Sequence, residues 1–191
     1  MGEYTCRALE ENEYRKIILL LRTGYEYNGV KHRPNDQIAT ILVLQANLGC
    51  RIGDIIALTT ESIIRDGSIH RLNIKEQKTG KKRTFIVPQA IVDFIEDYKR
   101  HTVIKDGKLF DIKSAAVWKQ LRAVTGYIGI DNVSTHSFRK KFACDLYTRT
   151  GYDVMAVCQA LQHSSTTTTM TYIKRSDAQM EAALTSNVSI A

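Results

Sequence analysis

Between Pro34 and Gly49 the apolar residues Ile38, Ala39, Ile41, Leu42, Val43, Leu44, Ala46 and Leu48 cover nearly every side of a helix. A helix with so little polar face is expected to be buried. Pro34 suits its start and Gly49 its end. The 191 residues fit one domain of ordinary to large size, able to bury a core without disulfides or metals. No apolar run approaches the length of a membrane span. The N-terminus lacks the apolar segment of a signal peptide. The four cysteines, Cys6, Cys50, Cys144 and Cys158, stand in no zinc-like spacing. A reduced, cytoplasmic protein is the simplest reading.

Around that helix the pattern predicts a mainly α fold with one small antiparallel β-hairpin. Helices are expected over residues 9–23, 34–48, 52–58, 89–100, 113–124, 136–150, 153–161, 166–172 and 177–184. Residues 25–33 read as a loop, and residues 59–62 as the start of a further turn. Strands are expected over 68–74 and 82–87, meeting at the turn Lys78-Thr79-Gly80-Lys81. Pro88 closes the hairpin.

The net charge is +7, which favours a polyanionic partner. Its distribution says more. Arg71, Lys75, Lys78, Lys81, Lys82 and Arg83 crowd residues 70–83 against the single acid Glu76. The hairpin is therefore an electropositive tongue.

Taken singly, the polar residues that follow are weak signals. Arg51 could pair with Asp54 across one helical turn. His136 could cap a helix, and His163 could pack in a loop. Lys78 is one of many lysines, and Tyr172 one of nine tyrosines. Their order changes the weighing. The chain presents Gly49-x-Arg51-x-x-Asp54, Lys78-Thr79-Gly80, His136-x-x-Arg139, Leu161-x-His163 and then Tyr172.

This series, from about Leu9 to Tyr172, resembles the tyrosine recombinase (phage integrase) family, whose catalytic domain has the DNA breaking-rejoining enzyme fold. The resemblance implies a catalytic set of Arg51, Lys78, His136, Arg139, His163 and the nucleophile Tyr172. Asp54 would orient Arg51 or a histidine. Arg71, Lys75, Lys81, Lys82, Arg83 and Lys140 are the candidate DNA contacts. It further implies double-stranded DNA as substrate, a homo-oligomer on DNA (a tetrameric synapse), a 3′-phosphotyrosyl intermediate, and no cofactor or metal. The expected function is site-specific recombination or integration.

The residue types suit that chemistry. Two arginines can hold the nonbridging oxygens of a phosphodiester through bidentate, charge-assisted bonds. A phenol can attack and later leave. A lysine on a mobile basic hairpin can protonate the departing oxygen. Other readings of the same residues are a catalytically silent DNA-binding regulator and a topoisomerase-like relaxing enzyme. A metal nuclease using His136 and His163 lacks paired carboxylates at ligand spacing.

Several positions depart from the family's habit. Leu48-Gly49-Cys50-Arg51 stands where Thr-Gly-Leu-Arg is common, and Leu161-Gln162-His163 where Leu-Gly-His is. Phe138 replaces Leu, and Asp54 replaces Glu. The expected layout is a catalytic domain over 1–172 and a tail over 173–191. Met180, Ala183 and Leu184 in the tail form a short apolar pattern, which would pack on its own domain or on a neighbouring protomer. No upstream core-binding domain is expected, as in an excised domain or a minimal recombinase.

Overall fold

The computed structural model describes residues 6–173 and 184–185. Helix α1 (Glu11–Thr23) is followed by a two-stranded hairpin, β1 (Tyr25–Tyr27) and β2 (Val30–His32). The long buried helix α2 (Asp36–Leu48) and the short α3 (Ile52–Ile56) come next. A three-stranded antiparallel sheet follows, β3 (Ile63–Asp66), β4 (Ile69–Lys75) and β5 (Lys82–Val87), in the order β3-β4-β5. Among the described residues five helices follow: α4 (Gln89–Arg100), α5 (Ser114–Ile128), α6 (Thr135–Arg149), α7 (Val154–Leu161) and α8 (Thr166–Ile173). The mainly α expectation holds.

Two strand features differ from the sequence reading. Residues 25–33 form a hairpin whose turn, Asn28-Gly29, takes two left-handed φ values of 50° and 72°. Asn-Gly between short β-prone runs favours that turn. The basic hairpin also gains an edge strand, β3, joined to β4 by Gly67-Ser68. The tail helix expected over 177–184 lies outside the described residues except at Leu184.

Helix α2 is the axis of the main core. Ile38, Ile41, Leu42, Leu44 and Leu48 are fully enclosed, packed with Ile17 and Leu21 of α1, Leu72 of β4, Ile95 of α4 and Phe138 of α6. Asn35 starts the helix by accepting a hydrogen bond from Ile38 N at 3.0 Å. Gly49 ends it with φ 59°. A Cβ on Gly49 would come within 2.3 Å of the Phe142 ring, so α6 approaches this turn as closely as only glycine permits. A second, smaller core joins α6, α7 and α8 through Ala143, Val157, Leu161 and Ile173. Tyr172 packs against it.

Candidate active site

The site forms where the end of α2, the start of α6, the α7–α8 junction and the base of the β4–β5 hairpin meet. Ser134 and Ser137 cap α6 reciprocally. His136 and Arg139 then project from one face of its first turns.

Arg139 is 0% exposed. Its Nη1 donates to Gly49 O at 2.7 Å, and its Nη2 donates to Leu161 O at 2.9 Å. The same Nη2 lies 3.3 Å from His163 Nε2. An arginine can only donate, so His163 Nε2 accepts and its proton sits on Nδ1, which faces Thr169 Oγ1 at 3.0 Å. Burial, with Arg83 and Arg51 nearby, pushes the Arg139 pKa below its ordinary value, yet an arginine stays charged in a protein.

Tyr172, on α8, lies between the two histidines. Its hydroxyl hydrogen-bonds His136 Nε2. Its ring is edge-on to His163 at 4.9 Å between centroids and to His136 at 5.5 Å. Burial, then the charge of Arg139, lowers both histidine pKa values to about 4. Both imidazoles are therefore neutral at pH 7, each with one ring nitrogen open to accept a hydrogen bond.

Arg51 caps the N-terminus of α3, with its side chain 24% exposed. It pairs with Glu76 Oε2 at 2.6 Å. Glu76 is 1% exposed and is shared: Arg83 Nη1 donates to its other oxygen at 3.1 Å, and Thr79 Oγ1 donates to Oε2 at 2.8 Å. Burial alone would raise the Glu76 pKa. The hydrogen bonds from Thr79 and Arg51 outweigh it and hold the carboxylate below its usual range. Lys78 is exposed in the turn just beyond, and its charge, like that of Arg51, is felt at His136.

The structure thus brings Arg51, His136, Arg139, His163 and Tyr172 together, with Lys78 above them on the hairpin. Three expected roles change. Asp54 turns away from Arg51 and both histidines. It is 4% exposed and accepts from Gln77 N at 2.9 Å, so it anchors the Lys78 turn. Arg83, expected on the DNA surface, is 1% exposed. Its guanidinium is spent on Glu76 and on the carbonyls of Leu48 at 3.1 Å and Ala160 at 2.8 Å. The ammonium of Lys140 is taken up by the Cys6 carbonyl at 2.5 Å. Lys75, Lys81 and Lys82 are exposed, and Arg71 pairs with Asp66 at 2.5 Å. Lys81 and Lys82 border an open concavity with Gln162, His163 and Ser164.

Glu76 was missed by the sequence reading, although a lone acid in a basic run was a usable signal. The unusual positions fit. Cys50 is fully buried with its thiol pKa raised by burial to about 11, acting as a small apolar side chain. Phe138 is 0% exposed and meets Tyr14 edge-on. Gln162 takes the left-handed φ of 52° at the end of α7 and donates to Lys82 O at 3.1 Å. All four cysteines are unbridged. Among the described residues no helix is long and apolar enough to cross a membrane.

The sequence matches the phage integrase family over residues 7–179. The chain belongs to that family. It is 26% identical over 179 residues to tyrosine recombinase XerA of Pyrococcus furiosus, spanning 88% of this chain and 57% of that one. It is 27% identical to the probable integrase/recombinase YoeC of Bacillus subtilis over 175 residues, 87% of each chain. The chain thus spans little more than half the length of the archaeal relative. Among solved structures, XerA recombinase superposes with a TM-score of 0.70 at 21% identity, covering 96% of this chain and 66% of that one. The catalytic domain of bacteriophage HP1 integrase gives 0.64 at 18% identity, covering 95% of both. These share its fold.

Proposed function

We propose that this protein cuts and rejoins double-stranded DNA as a site-specific recombinase or integrase, through a 3′-phosphotyrosyl intermediate on Tyr172. The observation that carries the reading is the Tyr172 hydroxyl bonded to the neutral His136, beside the buried Arg139–His163 pair. The Tyr172 oxygen bonds to phosphorus and its proton passes to His136 Nε2. The bond from phosphorus to the 5′-oxygen breaks, and Lys78 protonates that oxygen. Arg51 and Arg139 hold the nonbridging oxygens as charge builds on them. His163, accepting from Arg139 at Nε2, orients that guanidinium. A 5′-hydroxyl from a partner duplex reverses the sequence. Each bond broken is matched by one made, so no ATP is consumed.

The exposed Lys75, Lys81 and Lys82 supply phosphate contacts that fix register without reading sequence. The working form is a homo-oligomer on DNA, in the cytoplasm. The relatives support recombination and integration by name. One further relative, transposase A from transposon Tn554 of Staphylococcus aureus, is 29% identical over 203 residues, spanning 94% of this chain and 55% of that one.

The test is covalent capture. Protein is incubated with a library of nicked duplexes of random sequence, and adducts are read on a denaturing gel. The expected result is an adduct with the native protein and none with Tyr172→Phe, which still binds DNA. An undiminished adduct with Tyr172→Phe would remove Tyr172 from the mechanism.

A further inference from the structure

His136 and Lys140 are four residues apart on α6 and so share a face. The first holds the hydroxyl end of Tyr172. The second holds the ring: its Nζ lies 5.6 Å from the ring centroid, within the distance at which an aromatic face attracts a cation.

The ammonium is tethered there. Lys140 Nζ donates to the carbonyl of Cys6 at 2.5 Å. The segment that carries this carbonyl is itself secured. Arg7 N donates to Asn132 O at 3.0 Å. The Arg7 guanidinium grips Glu13 with two bonds of 2.7 and 2.5 Å, and Glu13 also caps Glu10 N at 2.9 Å. Among the described residues the partners of Lys140 are a carbonyl and a ring, not a carboxylate. Its charge is therefore left to act on what lies beside it. The other groups around the phenol are the neutral His136 and His163 and the guanidinium of Arg139.

We propose that Lys140 is a positioning residue for the nucleophile: braced by the Cys6 carbonyl, it keeps the Tyr172 ring turned into the site and offsets negative charge gathering on the phenol oxygen. It exchanges no proton. It helps when the phenol attacks and again when it departs. The inference rests on the phosphotyrosyl reading above, and it replaces the DNA-contact role that the sequence suggested for Lys140.

The experiment uses the full chain and a nicked duplex recovered by covalent capture on the native protein. Single-turnover adduct formation and DNA affinity are measured for Lys140→Gln and Lys140→Arg, with thermal melts to confirm folding. Lys140→Gln is expected to slow the adduct by about tenfold at unchanged affinity, while Lys140→Arg keeps most of the rate. Placing 3,5-difluorotyrosine at 172, whose phenol is intrinsically more acidic, is expected to restore Lys140→Gln more than it speeds the native protein. A purely structural lysine would not give that rescue. A native rate in Lys140→Gln, no rescue, or a loss of affinity equal to the loss of rate overturns the proposal. Each of those leaves the phosphotyrosyl reading intact, whereas an adduct formed by Tyr172→Phe overturns both.

Discussion

The two arginines of the site are held in opposite ways. Arg139 belongs to the helical side, fully enclosed and bonded to two backbone carbonyls and to His163. Arg51 belongs to the hairpin side, partly exposed and tied to one carboxylate. Backbone carbonyls at a helix end cannot move without the helix. A carboxylate on a hairpin can shift with the hairpin and carry Arg51 along. The helical side is thus preformed, and the hairpin side is able to adapt when DNA arrives.

Truncation of each arginine is the largest test of that contrast. Arg51→Ala and Arg139→Ala should each cut single-turnover cleavage by roughly 10²-fold or more, the loss seen when one transition-state donor is removed. Their stabilities should part. Arg139→Ala leaves the Leu161 carbonyl without its donor and Gly49 O with only a long bond from Arg83 at 3.5 Å, opens a void, and should cost about 3 kcal/mol. Arg51→Ala leaves Glu76 still bonded to Arg83 and Thr79 and should cost about 1 kcal/mol. Urea midpoints measure both, and equal losses would erase the distinction drawn between the two sides.

Glu76→Gln sharpens the hairpin half. It removes the charge shared by Arg51 and Arg83, and should cost about 3 kcal/mol because Arg83 is left buried without a counterion. Cleavage should slow, since Arg51 loses its anchor. Faster cleavage would mean that Glu76 competes with the phosphate rather than aiming Arg51.

How legible was this in the chain? The grouping of Arg51, His136, Arg139, His163 and Tyr172 could be read because their residue types and order are specific. The hairpin was harder. Along β5 the inward positions are Arg83, Phe85 and Val87, alternating with Lys82, Thr84 and Ile86. That period of two places Arg83 with the core, but reading by charge put it outside with the lysines. Asp54 misled by proximity. It stands three residues from Arg51, yet a helical turn points its carboxylate to the hairpin backbone. The partner of Arg51 comes from 25 residues away, a distance that only the folded sheet closes. Strand β3 escaped because Ile63–Asp66 is four residues long and its outward residues are exposed, leaving little apolar alternation to see.

Acid should also separate the halves, more mildly. His136 and His163 titrate at about 4 in the fold, against about 6.5 in an unfolded chain. Between those values the unfolded chain binds protons that the folded one excludes. Their neutral burial therefore costs no stability above about pH 6.5, and stability falls as pH drops toward 4. Urea midpoints at pH 7 and pH 5 should show the drop, and His163→Asn should reduce it. An unchanged midpoint across that range would mean that both rings accept protons freely in the fold.

The smallest expected effect lies at the seam between the two sides. Gln162 ends α7 in a left-handed conformation and donates to Lys82 O on β5. Gln162→Gly relieves about 1 kcal/mol of backbone strain and gives up one hydrogen bond at the surface, worth about the same. Its stability should therefore change by less than about 0.5 kcal/mol. Gln162→Ala keeps the strain and loses the bond, and should be less stable by about 1 kcal/mol. The informative readout is cleavage. If the hairpin is the adaptable side, losing this one of its ties to α7, with Arg83 still bonded to Ala160 O, should leave both variants cleaving at nearly the native rate. A loss of tenfold or more in the glycine variant, at unchanged stability, would show that the hairpin has to be tied to His163 for Arg51 and Lys78 to act.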